Sequence, residues 1–229
     1  MNEIGQYIKR IYQNFEASCR SCAICRRNFT RVELVCPYCW RKIEAIYPRT
    51  SARLNHPEYD LPTYTLLTWT LENDSLVAPV IYALKGGGVH HAAIARFMQR
   101  FSLDRRALAP VPHNPLFVPA PPRKSGQRDH AYELARSLSE IWRTPIGPHL
   151  RRISHQEQKA LAKLDRNQIQ LKSTREGREL CQNRFIVFVD DLVTTGATAR
   201  AAHLALGRPR HFEVWALANR DKLAPFRPF

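Results

Sequence analysis

The chain has 229 residues, 44% of them hydrophobic and 24% charged, which is the composition of a folded globular protein and excludes a disordered one. Thirty-five Lys and Arg face 20 Asp and Glu, a net charge of +15 with a sequence pI near 10.0; this excess favours anionic partners, nucleic acid or phosphorylated metabolites, and argues against a role as an acidic mimic. No apolar run reaches the ~20 residues of a membrane span, and the opening MNEIGQYIKRIYQNFEAS lacks the apolar core of a secretory signal, so the expected location is the cytoplasm.

In chain order, Ile4, Tyr7, Ile8, Ile11, Tyr12 and Phe15 recur at helical spacing and predict a helix with one apolar face. Five cysteines follow between positions 19 and 39. In a cytosolic chain such clustering points to metal rather than disulfides. Cys22 and Cys25, then Cys36 and Cys39, form two Cys-x-x-Cys pairs, and four thiolates brought together suit tetrahedral zinc. Cys19 makes a third, overlapping pair and is either a competing ligand or a spare thiol. A redox-active disulfide is the alternative, although one Cys-x-x-Cys would serve that chemistry. A four-sulfur site leaves no open position for water, and so short a module has too little core to fold without metal, so the zinc is expected to be structural. Arg26, Arg27, Arg31, Arg41 and Lys42 either contact nucleic acid or a partner or form a solvated face.

A Pro-bearing connection leads to TYTLLTWTL and LVAPVIYAL, two apolar runs separated by ENDS, which read as a β-hairpin. KGGG at 85–88 precedes a helical pattern, ALAPVP at 107–112 reads as a short buried strand, and HNPLFVPAPPRKSGQRD as a long functional loop. HAYELARSLSEIW predicts a second helix. Residues 151–184 are polar and basic, with the character of a loop or lid, although QEQKALAKL within them has helical character. Then FIVFV gives a strand, ARAAHLALG a helix and HFEVWALA a strand. This alternation predicts an α/β protein with a mostly parallel sheet flanked by helices. The domain reading is 1–47 for the N-terminal helix and zinc module, 48–75 for a linker and first strand, and 76–229 for the main domain.

The sharpest segment is Phe185 to Thr198, FIVFVDDLVTTGAT. Asp190 and Asp191 emerge at the carboxyl end of a buried strand, where open α/β sheets place their ligands. Thr194, Thr195, Gly196, Ala197 and Thr198 then form a small-residue turn opening a helix, whose N–H groups and hydroxyls can surround a phosphate. Two carboxylates beside a phosphate cradle would repel a nucleotide's phosphates unless they hold ribose hydroxyls or Mg²⁺. The arrangement fits a ribose 5-phosphate.

This segment resembles the 5-phosphoribosyl-1-pyrophosphate (PRPP) loop of type I phosphoribosyltransferases. The chain from about Cys22 to Ala218 is similar to the ComF (competence protein F-like) family, a four-cysteine zinc module fused to a phosphoribosyltransferase domain, with ALKGGG at 83–88 and the APVP strand at 109–112 adding to the likeness. The resemblance implies that Asp190 and Asp191 contact ribose and that one of them assists as a base. It implies that Thr194 to Thr198 hold the 5-phosphate, that Mg²⁺ accompanies PRPP, and that a pyrophosphate loop follows Pro112. ComF proteins carry Arg-Gly-Phe-Asn-Gln at that loop; here the stretch is Lys124-Ser-Gly-Gln-Arg-Asp-His-Ala131, which keeps only the glycine and polar character. Lys85, Arg123, Lys124 and Arg128 remain candidates for neutralising pyrophosphate. Two functional readings follow: transfer of phosphoribosyl from PRPP to an acceptor, or a non-catalytic single-stranded DNA-binding accessory of natural transformation, with DNA or DNA-uptake proteins as partners and a PRPP site kept for regulation. His90, His91, His113, His130 and His155 read as surface or capping residues, Trp69, Tyr82, Trp142 and Trp215 as core, and Cys181 as a buried thiol.

Overall fold

The computed structural model describes residues 20–29, 34–46, 61–85, 113–122, 129–147, 150–153 and 171–220. Two short strands, β1 (Arg20–Ser21) and β2 (Asn28–Phe29), pair antiparallel and precede helix α1 (Pro37–Ile46). Next come β3 (Thr63–Trp69), α2 (Asp74–Lys85), β4 (Pro115–Pro119) and α3 (His130–Trp142). The second half runs β5 (Leu150–Arg152), β6 (Leu171–Ser173), α4 (Arg175–Gln182), β7 (Phe185–Val193), α5 (Ala197–Ala205) and β8 (Phe212–Arg220).

Among the described residues the main sheet has four strands in the order β3-β8-β7-β4, and every pairing in it is parallel. The predicted α/β architecture, a parallel sheet flanked by helices, is therefore present. The run FIVFV is apolar at every position because β7 is buried on both faces. Val187 and Val189 pack with Phe117, Trp215, Leu217, Leu134 and Leu138, whereas Ile186 and Phe188 pack with Leu116, Val118, Val214, Ala199, Ala202 and Leu206. The first of these two cores continues without a break into the cysteine module: Cys22, Ala23, Leu34, Val35, Cys39 and Ile43 belong to it together with Val77, Val80, Ile81 and Leu84 of α2. Strand β4, at the sheet margin, is covered by the segment after α3, where Phe117 N–H donates to the Pro145 carbonyl at 3.1 Å and Gly147 N–H to the Phe117 carbonyl at 2.8 Å. Among the described residues no helix is long and apolar enough to cross a membrane.

Three expectations change. LVAPVIYAL is a helix, not the second arm of a hairpin. Within its apolar run, buried Val77, Val80, Ile81 and Leu84 follow an i, i+3, i+4, i+7 pattern. The ENDS turn is a strand-to-helix junction: Thr70 N–H donates to Asn73 Oδ1 at 2.9 Å, Asn73 Nδ2 donates to the Thr68 carbonyl at 2.7 Å, and Trp69 Nε1 donates to Asp74 Oδ1 at 2.9 Å. Second, the stretch read as a loop at 113–129 contains β4, a strand bounded by Pro115 and Pro119. Proline is tolerated there because the strand lies at the sheet margin, where a missing donor breaks no central ladder; the APVP stretch at 109–112 lies outside the described residues. Third, the basic 151–184 region contributes the antiparallel ribbon β5–β6 and α4, while QEQKALAKL lies outside the described residues, as does the helix expected at 4–15.

Because Asn73 closes the β3–α2 junction with both its amide atoms, Asn73→Ala is expected to cost about 1–2 kcal/mol of stability. Urea denaturation of the two proteins measures this; identical midpoints would show that the junction contributes nothing.

Candidate functional site

The cysteine centre is built by local backbone turns. Cys22 N–H donates to the Arg27 carbonyl and Arg26 N–H returns to the Cys22 carbonyl, both at 2.9 Å, and Arg26 occupies the left-handed region at φ 61°. The resulting tight turn aims Cys22 and Cys25 inward. On the other side, Cys36 immediately precedes α1 and Cys39 lies in its first turn, with Trp40 N–H donating to the Cys36 carbonyl at 2.8 Å. The four sulfurs of Cys22, Cys25, Cys36 and Cys39 all lie within 4.8 Å of one another, and those of Cys25 and Cys36 are 3.8 Å apart. A tetrahedron with Zn–S bonds of ~2.3 Å has edges of about 3.8 Å. All four are free thiols rather than disulfides. The donor set and spacing therefore fit zinc. Cys19 lies outside the described residues.

The metal-free thiols differ in acidity. Burial opposes ionisation of Cys22, but hydrogen bonds from the backbone at Cys25, Cys36 and Ile24 and from Cys25 itself outweigh it and bring the thiol down to about 7. Burial and the neighbouring sulfurs push Cys39 strongly upward. Filling the site must therefore expel at least the Cys39 proton.

The second centre lies at the carboxyl edge of the parallel sheet. Asp190 and Asp191 are the sixth and seventh residues of β7, half-buried, and the strand continues past them to Val193. Asp191 N–H donates to Asp190 Oδ1 at 2.8 Å, which fixes the first carboxylate against the backbone. Exposed Thr194 and Thr195 follow, and Gly196 caps α5 at φ 65° without a side-chain capping bond. A side chain at that φ would be strained. Ala197 and Thr198 are in the first turn of α5, half-buried. The turn thus presents hydroxyls, small residues and a helix N-terminus on the side of the sheet where the two carboxylates end.

Structure adds residues that sequence reasoning missed. Asp129 caps α3, its side chain accepting from Tyr132 N–H at 2.8 Å. Burial raises its carboxyl above the usual range against that hydrogen bond and the charge of His130, and the charges of Glu133 and Asp191 add to the rise. Asp129 therefore lies within the field of Asp191. The aspartate after a glycine-containing polar stretch was visible as an N-cap signal, but nothing in the sequence shows that α3 begins beside β7. The basic ribbon is anchored next to the same edge: Arg152 Nε donates to the Pro121 carbonyl at 3.3 Å, and β6 packs against α5.

Of the other candidates, Lys85 is the last residue of α2. Arg123, Lys124 and Arg128 lie outside the described residues, as do His90, His91 and His155. His113 is exposed and His130 opens α3. Trp69 and Trp215 are buried in the core and Tyr82 and Trp142 pack against it, as expected. Cys181 is buried in the opposite core, its thiol pushed up to about 11 by burial despite Arg184.

No family model and no curated protein matches the chain. Among solved structures the chain is similar to the hypoxanthine phosphoribosyl transferase of Trypanosoma cruzi, with 20% sequence identity over 61% of this chain and 68% of that one and a TM-score of 0.36.

The purified protein is expected to carry one zinc per chain, measurable by elemental analysis. Because protons compete for the sulfurs, acidification should release the metal, and raising the pH should restore it. Cys39→Ser should lower both zinc content and thermal midpoint, the latter by roughly 5–10 °C; full zinc occupancy in that variant would refute the ligand set.

Proposed function

We propose that this chain binds PRPP and acts as a phosphoribosyltransferase of the ComF type. The observation that carries the reading is the sequence of features along one strand and helix: Asp190 and Asp191 near the carboxyl end of β7, then Thr194 and Thr195, then Gly196 opening α5. A ribose 5-phosphate satisfies all of them at once. Its phosphate accepts hydrogen bonds from the turn's N–H groups and from the hydroxyls of Thr194, Thr195 and Thr198, and its diol donates to the carboxylates. Mg²⁺, arriving with PRPP, would find carboxylate oxygens at Asp129 and Asp191 and neutralise charge on the pyrophosphate.

In the transfer reaction the bond between the anomeric carbon and the pyrophosphate oxygen breaks. A bond to the acceptor's nucleophilic atom forms, and pyrophosphate leaves with the electron pair. The transition state resembles an oxocarbenium ion, so rate depends on positioning and on cations at the leaving group. Asp190 and Asp191 hold the sugar, and one of them takes the acceptor's proton. Lys85, Arg123, Lys124 and Arg128 are the cations assigned to pyrophosphate, and the ribbon bearing Arg151, Arg152 and Lys172 acts as the lid. Zinc at Cys22, Cys25, Cys36 and Cys39 has no part in the chemistry. The protein works in the cytoplasm, and the ComF likeness links it to natural transformation.

A second reading, binding of single-stranded DNA, has its own support in the cysteine module. Arg26, Arg27, Arg41 and Lys42 are exposed there, and Tyr38 is 59% exposed with Lys42 Nζ 4.8 Å from its ring centroid. An exposed aromatic among cations is a surface on which a base can stack.

Calorimetric titration of PRPP with Mg²⁺ tests the first reading. Asp190→Asn combined with Asp191→Asn should weaken binding on the order of 100-fold, as expected for losing two charge-assisted contacts; undiminished affinity would overturn the assignment. Retained binding without pyrophosphate release across a panel of acceptors would favour the non-catalytic role. DNA binding, if it uses phosphate contacts, should fall steeply as salt rises.

A further inference from the structure

The strands of the main sheet run parallel, so the residues that lead into them collect at its amino edge, the end opposite Asp190 and Asp191. Register fixes their order there. Ile146 lies beside Phe117, Phe117 beside Val187, and Val187 beside Glu213. Counting back three residues along each segment brings Arg143, Asn114, Arg184 and Arg210 to one level, in that order across the edge. At a strand spacing of ~4.8 Å the row is about 14 Å long. Arg143 and Arg210 are exposed and Arg184 is half-buried, and exposed Arg208 and His211 flank Arg210 in sequence. The acid closest in sequence to Arg210, Glu213, accepts from Trp215 Nε1 at 3.1 Å.

Backbone conformation sets this edge apart as well. Among the described residues, the non-glycine residues in the left-handed region are Arg26, Asn114, Arg143 and Arg208, at φ 61°, 49°, 51° and 56°, and all but Arg26 stand here. Asparagine and glycine suit that region, and they are the usual residues just past a helix end. Arg143 after α3 and Arg208 after α5 keep a long cation where a short residue would be less strained. The turn that carries Arg208 is fastened at both sides: Gln182 Nε2 donates to the Leu206 and Gly207 carbonyls at 3.4 and 3.0 Å, and the His203 ring meets the Pro209 carbonyl at 3.2 Å. His211 lies flat on Phe185, with ring centroids 5.9 Å apart and planes at 12°.

We propose that this amino edge is a binding surface for single-stranded nucleic acid, with the arginines on successive phosphates and His211 as a stacking platform for a base. Guanidinium forks match phosphate oxygens bidentately. A row about 14 Å long outreaches a single free phosphate and fits a phosphodiester chain. A lipid surface would call for apolar anchors among the cations, and none of the exposed large apolar side chains lies in the connections that form this edge. The proposal rests on the DNA reading and not on the PRPP one: Arg184 and Asp190 are six residues, about 20 Å, apart along β7.

The test follows a fluorescent oligothymidylate of about 20 nucleotides, longer than the site, by anisotropy with the full chain. Arg143→Asn combined with Arg208→Asn removes two cations and leaves residues suited to the left-handed region. Affinity should fall about tenfold at ~0.15 M salt and the log–log salt slope by about 1.4, the value for two lost single-strand phosphate contacts. The melting temperature should stay level or rise. If that variant does not fold, Arg210→Gln combined with His211→Ala is the deciding one, with the same tenfold loss expected. Saturating PRPP at constant Mg²⁺ should leave oligonucleotide affinity unchanged. Absence of oligonucleotide binding by the wild-type chain would overturn both the proposal and the DNA reading. Unchanged affinity in the variants, with binding lost in Tyr38→Ala, would overturn the proposal alone and give the strand to the cysteine module. Displacement of the oligonucleotide by PRPP, or tighter binding to phosphatidylserine vesicles than to the oligonucleotide, would also overturn it.

Discussion

Everything in this molecule is arranged around the burial of β7. The strand is hydrogen-bonded on both edges, to β4 and β8, and packed on both faces by side chains from two separate cores. A strand so enclosed admits no charge along its apolar length. Asp190 and Asp191 can be accommodated only where the helix layers end and solvent begins, which is the carboxyl edge. The turn after Val193 must then start a helix that runs back across the sheet, so its N-terminal dipole faces the same opening as the carboxylates. Acidic groups and an anion-attracting helix end are brought together by the topology of a βαβ unit.

The charge of the chain divides along the same lines. Part of the excess sits on the cysteine module, where Arg26, Arg27, Arg41 and Lys42 are exposed, and part of it is plain surface. Arg175, for instance, is engaged with Glu179 at 2.8 Å in a highly exposed pair, an interaction worth little in water. Arg220 is different in kind: its guanidinium carbon stands 5.3 Å from the centroid of the Trp69 ring at the end of a central strand, a placement that net charge alone does not reveal.

The strands β7 and β8, helix α3 and the cysteine cluster were legible in the sequence because each is specified locally. A five-residue apolar run, an Asp N-cap before an apolar periodic stretch, and two Cys-x-x-Cys pairs need no knowledge of their neighbours. The elements that escaped were those whose identity depends on position in the sheet. PLFVP looks like a loop until it is known to be a margin strand, where proline is harmless. LVAPVIYAL is equally apolar as strand or helix, and its periodicity is hidden because the intervening positions are also apolar. The same distinction governs the site: the Asp-Asp and Thr-Thr-Gly residues are adjacent in sequence and could be read together. Asp129, in contrast, shows in the sequence only as a helix cap, and its nearness to Asp191 depends on how α3 packs against β7.

The unbroken core that joins Cys39 and Ile43 to α2 has a consequence for how such a protein could arise and persist. A finger attached by a linker can be gained, lost or swapped between proteins without disturbing its host. Here the cysteine segment supplies part of the wall that keeps water from α2, so removing it would strip the α/β part of some of its own interior. The two parts share one interior. With zinc held at Cys22, Cys25, Cys36 and Cys39, loss of the metal or oxidation of the thiols would therefore unsettle the interior around α2 as well as the cysteine segment.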